Sequence, residues 1–189
     1  AFSGIFTITD GKLESGGTML MIASLTIGAL IGELINIEAQ MERFGEWLKV
    51  KAKSSNDTKF VDGFVTASLT VCIGAMAIVG SIEDGISGNH DTLFAKAALD
   101  LVIVMVFAAA YGKGVIFSAL PVAVLQGTVT LCAGILAPIF SDAIIANISF
   151  IGSILIFCVG INLAFGKKFK VGNMLPAILI PIIYGLIFR

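Results

Sequence analysis

Charged residues are scarce in this chain, and their scarcity excludes a soluble globular protein. Only 13% of the 189 residues are Asp, Glu, Lys or Arg, whereas 57% are hydrophobic. The mean hydropathy is +1.01. A chain of this length that folded in water would still have to cover its surface with polar side chains. The composition therefore predicts an integral membrane protein whose partner is the lipid bilayer.

Histidine, cysteine and the motifs of catalysis are equally sparse. The single histidine, His90, lies in a polar loop, and the three cysteines stand alone within apolar runs without CxxC spacing. Such cysteines are typically small buried hydrophobes. GxSxG, HExxH and P-loop motifs are missing, and no Arg/Lys cluster is interleaved with aromatic residues in a pattern for stacking on nucleic-acid bases. We therefore expect no enzymatic activity, no metal site, no cofactor and no nucleic-acid partner.

Long apolar stretches alternate with polar loops, which predicts an all-α polytopic transmembrane bundle in a single domain, 1–189. A stretch of about 20 apolar residues matches the ~30 Å hydrocarbon core of a bilayer. The six predicted crossings are residues 18–37, 60–82, 92–112, 115–136, 143–165 and 172–188. Residues 1–9 are interpreted as the end of a further helix, and residues 37–53 as an amphipathic helix in the membrane interface.

Basic and acidic loops alternate along the chain. Lys and Arg outnumber Asp and Glu in loops 38–59, 112–114 and 166–171, whereas acidic residues dominate the loops between them. The positive-inside rule assigns the basic loops to the cytoplasm. We expect a multi-pass protein in this orientation.

Two segments of the chain resemble each other. Cys72-Ile73-Gly74 aligns with Cys158-Val159-Gly160, each in the second crossing of three. Units 18–112 and 114–188 would then form an inverted repeat, which is typical of secondary transporters. Chance recurrence of small and β-branched residues in membrane helices explains the likeness equally well, so both interpretations stay open.

Asp100 is the most informative polar residue because it lies near the middle of an apolar crossing. An ionised carboxylate at that depth is costly unless it has a partner or water. Lys96 lies one helical turn earlier on the same face, and Gln126 on the next crossing is expected to complete a network. One interpretation is a site for a cation, proton or small solute. The other is a structural ion pair, with Lys96 snorkelling toward the outer interface.

Other polar residues in the crossings are further candidates. The hydroxyl and amide groups expected to line an ion or substrate site are Thr66, Ser68, Thr70, Asn162 and Asn173. The residues expected to form a gate or vestibule at the cytoplasmic side are Glu33, Asn36 and Asp62. Hydroxyls bonded to their own helix, and carboxylates that reach headgroups or loop lysines, explain the same residues without transport.

Gly28 and Gly32 have GxxxG spacing, which lets two helix backbones approach closely. Together with the Gly/Ala-rich crossing 92–112 and the amphipathic helix, this face suggests contacts in a homo-oligomer.

Four segments resemble the YdfK/YqgA-like family of bacterial membrane proteins, a domain of unknown function. The matching segments, which include GALIGELINIEAQMERFGEWLK and FSALPVAVLQG, lie at 28–49, 60–100, 117–127 and 171–179. The resemblance implies a multi-span protein of the bacterial inner membrane, sometimes described as a transporter, without an established substrate. With Asp100, it favours a transporter or channel for an ion or small solute. The alternative is a non-transporting membrane scaffold or assembly protein in which Asp100, Lys96 and Gln126 lock helices together.

Overall fold

The computed structural model describes the backbone of residues 6–9, 12–15 and 18–187. Apart from one short hairpin, this part of the chain is helical, as the all-α prediction requires. The strands are β1 Phe6–Thr9 and β2 Lys12–Ser15. The α-helices are α1 Thr18–Ile35, α2 Ile37–Lys51, α3 Phe60–Cys72, α4 Ala75–Ser87, α5 Asp91–Tyr111, α6 Ala119–Leu131, α7 Ala133–Leu136, α8 Asp142–Phe165, α9 Val171–Met174 and α10 Leu179–Ile187. Two 3-10 turns are Gly112–Ser118 and Leu175–Ile178.

The N-terminal hairpin corrects the expectation of a helix end at residues 1–9. Residues 6–9 form β1, which pairs antiparallel with β2. Residues 1–5 of the predicted helix lie outside the described residues. The missed signal was the alternation of apolar and polar residues in Phe6-Thr7-Ile8-Thr9, three of which are β-branched, followed by Asp10-Gly11, a dipeptide typical of two-residue hairpin loops.

The helices form two compact units. The terminal unit contains the described residues of 1–35 and 138–189, hence α1 and α8 to α10. The central unit contains residues 36–137, hence α2 to α7.

The inverted repeat is not confirmed, because the two aligned segments adopt different conformations. The first segment contains a break between α3 and α4 at Ile73 and Gly74. The second segment lies in α8, which runs through Gly160 without interruption.

The predicted crossing 60–82 is a broken helix. α3 ends before the extended residue Ile73, and α4 begins after Gly74, whose φ is 148°. The axes of α3 and α4 differ by 62°. A φ of this size is essentially restricted to glycine, so Gly74 determines where the helix breaks.

Within the central unit, α5 packs antiparallel to the broken helix. Gly63 of α3 lies against Tyr111 at the end of α5, and Gly80 of α4 lies against Thr92 and Leu93 at its start. The absence of a side chain at both glycines lets the helices approach closely.

The chain reverses after α5, although the 41 residues of Asp91–Leu131 are helical without a gap. Gly80 packs against Leu93 near the start of this stretch, and Gly85 packs against Thr130 near its end. A straight helix of that length would separate its ends by about 60 Å. Because both ends contact neighbouring turns of α4, the predicted reversal is present.

Small residues of α1 face the C-terminal helices of the terminal unit. Ser24, Gly28 and Gly32 follow one another at four-residue spacing and are buried. Gly28 contacts the backbone of Ala177, and Gly32 the carbonyl group of Asn173, without room for a Cβ atom. The GxxxG face is therefore occupied within the chain, which corrects the expectation that it forms a subunit contact.

Fewer stretches than the six predicted qualify as crossings by length and composition. Among the described residues, Asp91–Leu131 and Asp142–Phe165 are long and apolar enough, and the count reaches four if α1–α2 and α3–α4 are each one bent crossing. Gly74 divides one predicted crossing. Pro176 lies in a 3-10 turn that divides the last one, because proline cannot donate a helical hydrogen bond.

The outer surface of α5 is apolar. Its more than half-exposed side chains include Leu99, Leu101, Val102, Met105 and Val106. A contiguous apolar surface of this kind marks a membrane or protein contact, and the helix is apolar enough to span a bilayer.

Candidate functional site

The buried residues of α5 include a lysine. Of the 21 residues of this fully described helix, only Lys96 and Phe107 are buried. The Lys96 side chain is 8% exposed, and its Nζ forms an i,i+4 ion pair with Oδ2 of Asp100, which is 22% exposed. The ion pair that the sequence predicts is present. Its lysine is buried and extends along the helix toward Asp100.

The break between α3 and α4 faces the middle of α5. α3 packs against the second half of α5 and α4 against its first turns, so the residues between them lie level with its centre. Cys72, the last residue of α3, is close enough to Lys96 and Asp100 to interact electrostatically with both. The break and the ion pair therefore lie near each other.

Backbone polar groups are released at the break. The N–H of Ile73 donates to the carbonyl oxygen of Leu69 at 3.1 Å and closes the last turn of α3. The following carbonyl groups of α3, from Thr70 to Cys72, and the first N–H groups of α4 have no partner within their own helices. In hydrocarbon such groups must be satisfied by protein, water or a bound solute.

Open space adjoins the break. A Cβ atom at Gly74 would have no described atom beyond its chain neighbours within 4 Å, and Cys72 is only half-buried. We call the residues Cys72, Ile73, Gly74, Lys96 and Asp100 the break site. It combines two opposite charges with free backbone groups, a chemistry suited to a small ion or polar solute.

Gln126 is not part of the break site. α6 packs against α4 and α3 rather than against α5. Among the described residues, no hydrogen bond joins Gln126 to Lys96 or Asp100. The sequence expectation assumed that consecutive crossings are neighbours, whereas α5 and α6 each pack against the broken helix.

The hydroxyl groups of α3 have different surroundings. Thr70 Oγ1 donates to the carbonyl oxygen of Thr66 at 2.8 Å, a bond within the helix. Ser68 Oγ is buried and has no hydrogen-bond partner among the described residues, as is also true of Ser81 on α4. The Thr70 hydroxyl is thus bonded within its own helix, Ser68 is a buried hydroxyl without an assigned role, and the role expected for Thr66 stays a prediction.

Asn162 holds the loop that follows α8. Its Nδ2 donates to the carbonyl oxygen of Phe169 at 2.7 Å. Its Oδ1 accepts from the N–H groups of Lys168 at 2.8 Å and of Phe169 at 2.9 Å. Three bonds to one loop occupy the side chain, which gives Asn162 a structural role, and its expected place in a binding site stays a prediction.

Glu33 and Asn173 come together in the terminal unit. Glu33 Oε1 accepts from Lys170 Nζ at 2.5 Å, and Oε2 accepts from Asn173 Nδ2 at 2.6 Å. Asn173 is buried, whereas the other two side chains are more than half exposed. Asn36, a left-handed residue, and Asp62, exposed in the first turn of α3, belong to the central unit. The Glu33 carboxylate therefore binds a lysine of the loop after α8, as in the interpretation of this residue without transport.

Sequence reasoning missed Cys72 and Gly74 as members of the site. Cys72 was interpreted as a small buried hydrophobe. Gly74 was one glycine in an apolar run, and a helix-interior glycine by itself is a weak signal of a break.

Comparison with known proteins identifies relatives of the chain. Residues 2–186 match the profile of the family described as "Protein of unknown function (DUF554)". The uncharacterized membrane protein YdfK of Bacillus subtilis (strain 168) is 34% identical over 178 residues, 94% of this chain and 75% of that protein. The uncharacterized protein YqgA of Escherichia coli (strain K12) is 27% identical over 164 residues, 85% and 70% of the two chains. No solved structure matches. The resemblance to YdfK/YqgA-like proteins is confirmed.

Proposed function

The chain belongs to this family of proteins of unknown function (DUF554), and we propose that it is a transporter or channel for an ion or small solute. The break site is the proposed binding site. The observation that carries this proposal is the interrupted helix α3–α4 beside the Lys96–Asp100 pair. The proposal includes no enzymatic activity.

An interrupted helix supports transport because it supplies ligands without polar side chains. Carbonyl groups at the end of a half-helix bind cations, and N–H groups at the start of the next bind anionic groups. Irregular backbone at membrane depth is tolerated where protein or a water-filled cavity satisfies it. Gly74 provides this irregularity in the middle of an apolar stretch.

The Lys96–Asp100 pair fits the same function. Lys96 compensates the carboxylate of Asp100, so neither charge is left alone in a medium of low polarity. A cation that approaches Asp100, or an anionic group that approaches Lys96, can replace one partner of the pair. The net charge of the site then changes by the charge of the solute.

The proposed topology has six crossings. They are α1, α3–α4, α5, α6–α7, α8 and α9–α10. The reversal after α5 separates two of these crossings within one long helical stretch. The basic loops 38–59, 112–114 and 166–171 then all lie on one side, which we propose is the cytoplasmic side of a bacterial inner membrane.

A second candidate is a non-transporting membrane scaffold. The observation in its favour is that Lys96 is buried and its ion pair is closed. In that case the pair only fixes α5 against the broken helix, and no aqueous path reaches Asp100.

Uptake by proteoliposomes tests the first candidate. The purified chain is reconstituted and assayed with protons, sodium, potassium and a panel of small metabolites. Transport predicts that at least one solute is taken up and that Asp100→Asn reduces this uptake to background. The matched control is Asp142→Asn, which makes the same chemical change in the first turn of α8 and should retain uptake.

Thiol labelling separates the two candidates independently. In a Cys132→Ser, Cys158→Ala background, Cys72 is the remaining thiol. A small water-soluble thiol reagent should label Cys72 if water reaches the break site. Uptake that is unchanged by Asp100→Asn in a folded protein contradicts the transport proposal. A Cys72 that the reagent never labels, with no uptake of any solute, supports the scaffold.

A further inference from the structure

α2 has an exposed face that combines apolar and basic side chains. Its inner face packs within the central unit, where Leu48 is buried and Gly45 contacts Phe64. The exposed apolar side chains are Phe44 at 44%, Trp47 at 53% and Val50 at 68%. The stacked rings of Phe44 and Trp47 form the centre of this surface.

Basic side chains flank the tryptophan. Arg43 and Lys51 lie four residues before and after Trp47, so they project from the same face of the helix. The Nζ of Lys51 lies 5.7 Å from the centroid of the Trp47 ring. The acidic residues Glu38, which is buried, and Glu42, which is half-buried, lie away from this face, whereas the exposed Glu46 lies at its edge, one turn before Val50.

α2 as a whole carries equal numbers of acidic and basic residues, and the excess of positive charge lies in its second half and in the loop that follows. The cations of residues 43–59 are Arg43, Lys49, Lys51, Lys53 and Lys59, against the carboxylates Glu46 and Asp57. A surface with this charge is complementary to a negatively charged partner.

We infer that the Trp47 face, defined as Arg43, Phe44, Trp47, Val50 and Lys51, binds the surface of a bilayer that contains anionic phospholipid. Tryptophan prefers the headgroup level, where its apolar ring and polar N–H are both satisfied. Lysine and arginine place their stems along apolar surface and their charges at the phosphates. α2 packs against α3, which together with α4 is long and apolar enough to cross a membrane as one bent pair, so a bilayer surface is within reach of the Trp47 face. The inference is independent of transport.

Tryptophan fluorescence reports on the surroundings of the Trp47 face alone, because Trp47 is the single tryptophan of the chain. The full chain is reconstituted in vesicles of phosphatidylcholine with a fixed fraction of phosphatidylglycerol. The same amount of brominated acyl chain is carried by one lipid or by the other. We expect brominated phosphatidylglycerol to quench Trp47 fluorescence at least about twofold more strongly. The difference should disappear at about 1 M salt, where the Debye length is ~3 Å.

Charge variants test the basic residues. Lys51→Gln should lower the preference for phosphatidylglycerol, and Arg43→Gln with Lys51→Gln should abolish it while quenching by brominated phosphatidylcholine persists. The control Lys168→Gln makes the same charge change in the terminal unit and should leave Trp47 quenching unchanged.

Three results would each overturn the inference. The first is equal quenching of Trp47 by the two brominated lipids. The second is strong quenching by aqueous iodide in anionic vesicles, which would mean that Trp47 faces water. The third is protection of Trp47 from lipid and iodide together with cross-linking of Trp47→Cys between chains, which would assign this face to a second copy.

Discussion

Lys96 is the more deeply buried partner in its ion pair with Asp100, with 8% of its side chain exposed against 22%. Both residues lie on α5, most of whose side chains face outward. A lysine that turns into the unit instead of toward an interface gives up hydration, so it depends on its carboxylate partner. The transport and scaffold proposals both use this pair, so its variants should be measured for stability and for uptake.

Asp100→Asn should destabilise the protein by about 3–5 kcal/mol, because it leaves the buried Lys96 charge without a carboxylate partner. Lys96→Met should cost less, since Asp100 is the more exposed partner. The double variant Lys96→Met, Asp100→Leu removes both charges and should recover most of the loss. Denaturant unfolding in detergent measures the free energy of unfolding for all three variants.

The two single variants and the double variant together give the coupling free energy between Lys96 and Asp100, which decides whether the pair stabilises the protein. Asp142→Asn serves as a control for loss of an exposed carboxylate and should change stability little. If the effects of the Lys96 and Asp100 substitutions simply add, the pair is not coupled and its stabilising role is wrong.

Gly74→Ala should destabilise the break between α3 and α4. There is space for the methyl group, so the cost arises from the backbone, whose φ of 148° is unfavourable for alanine. Such strain is of the order of 1–3 kcal/mol. The variant should lower the melting temperature and, under the transport proposal, reduce uptake. Circular dichroism melting and proteoliposome uptake give the two readouts.

Gly134→Ala in α7 is the matched control for this variant. That glycine also has open space around it but does not have a positive φ. It should be neutral or slightly stabilising, because alanine favours helix. A Gly74→Ala protein as stable and as active as the unaltered chain would show that the break does not require glycine.

Gly32→Ala should separate α1 from the C-terminal helices. The added methyl group would overlap the carbonyl group of Asn173, which is backbone and cannot rotate away. Overpacking of this kind costs about 1–3 kcal/mol. Gly160→Ala on α8 is the control because no described atom lies near its added methyl group. Equal thermal stability of the two variants would contradict the close packing of α1.

The helices were predictable where a long apolar run ends in clearly polar residues. The predicted crossing 92–112 corresponds to α5, Asp91–Tyr111, and 143–165 to α8, Asp142–Phe165. Loop charge and hydrophobic length set these ends, and both can be counted from the sequence. The pairing of Asp100 with Lys96 follows from helix periodicity alone.

The break and the neighbours of each helix were not predictable. Gly74 and Gly160 occupy matching positions in similar apolar segments, yet only the first one breaks its helix. The difference depends on tertiary packing, which local sequence does not specify. Similarly, Gln126 has the expected position along the chain, but sequence gives no lateral position, so its expected contact with Asp100 was wrong. The hairpin β1–β2 was missed because the apolar residues of 1–9 were given more weight than the alternation of apolar and polar residues at 6–9.

Asn162→Leu should loosen the loop after α8 without affecting the break site. The substitution removes the acceptor for the N–H groups of Lys168 and Phe169, bonded at 2.8 and 2.9 Å. Loss of these bonds, at about 0.5–1.5 kcal/mol each, should accelerate amide hydrogen exchange at both residues by roughly tenfold. Exchange measured by mass spectrometry on peptides that cover residues 166–170 checks this.

Asn147→Leu provides the matched control, since it makes the same change on the same helix away from the loop. It should leave exchange at residues 166–170 unchanged. Unaltered exchange in Asn162→Leu would show that the loop does not depend on this side chain. Because the Asn162 amide is occupied by the loop, Asn162→Leu should also retain uptake of any solute that the unaltered protein transports. Loss of uptake with normal loop exchange would instead return Asn162 to the binding site, where the sequence had first placed it.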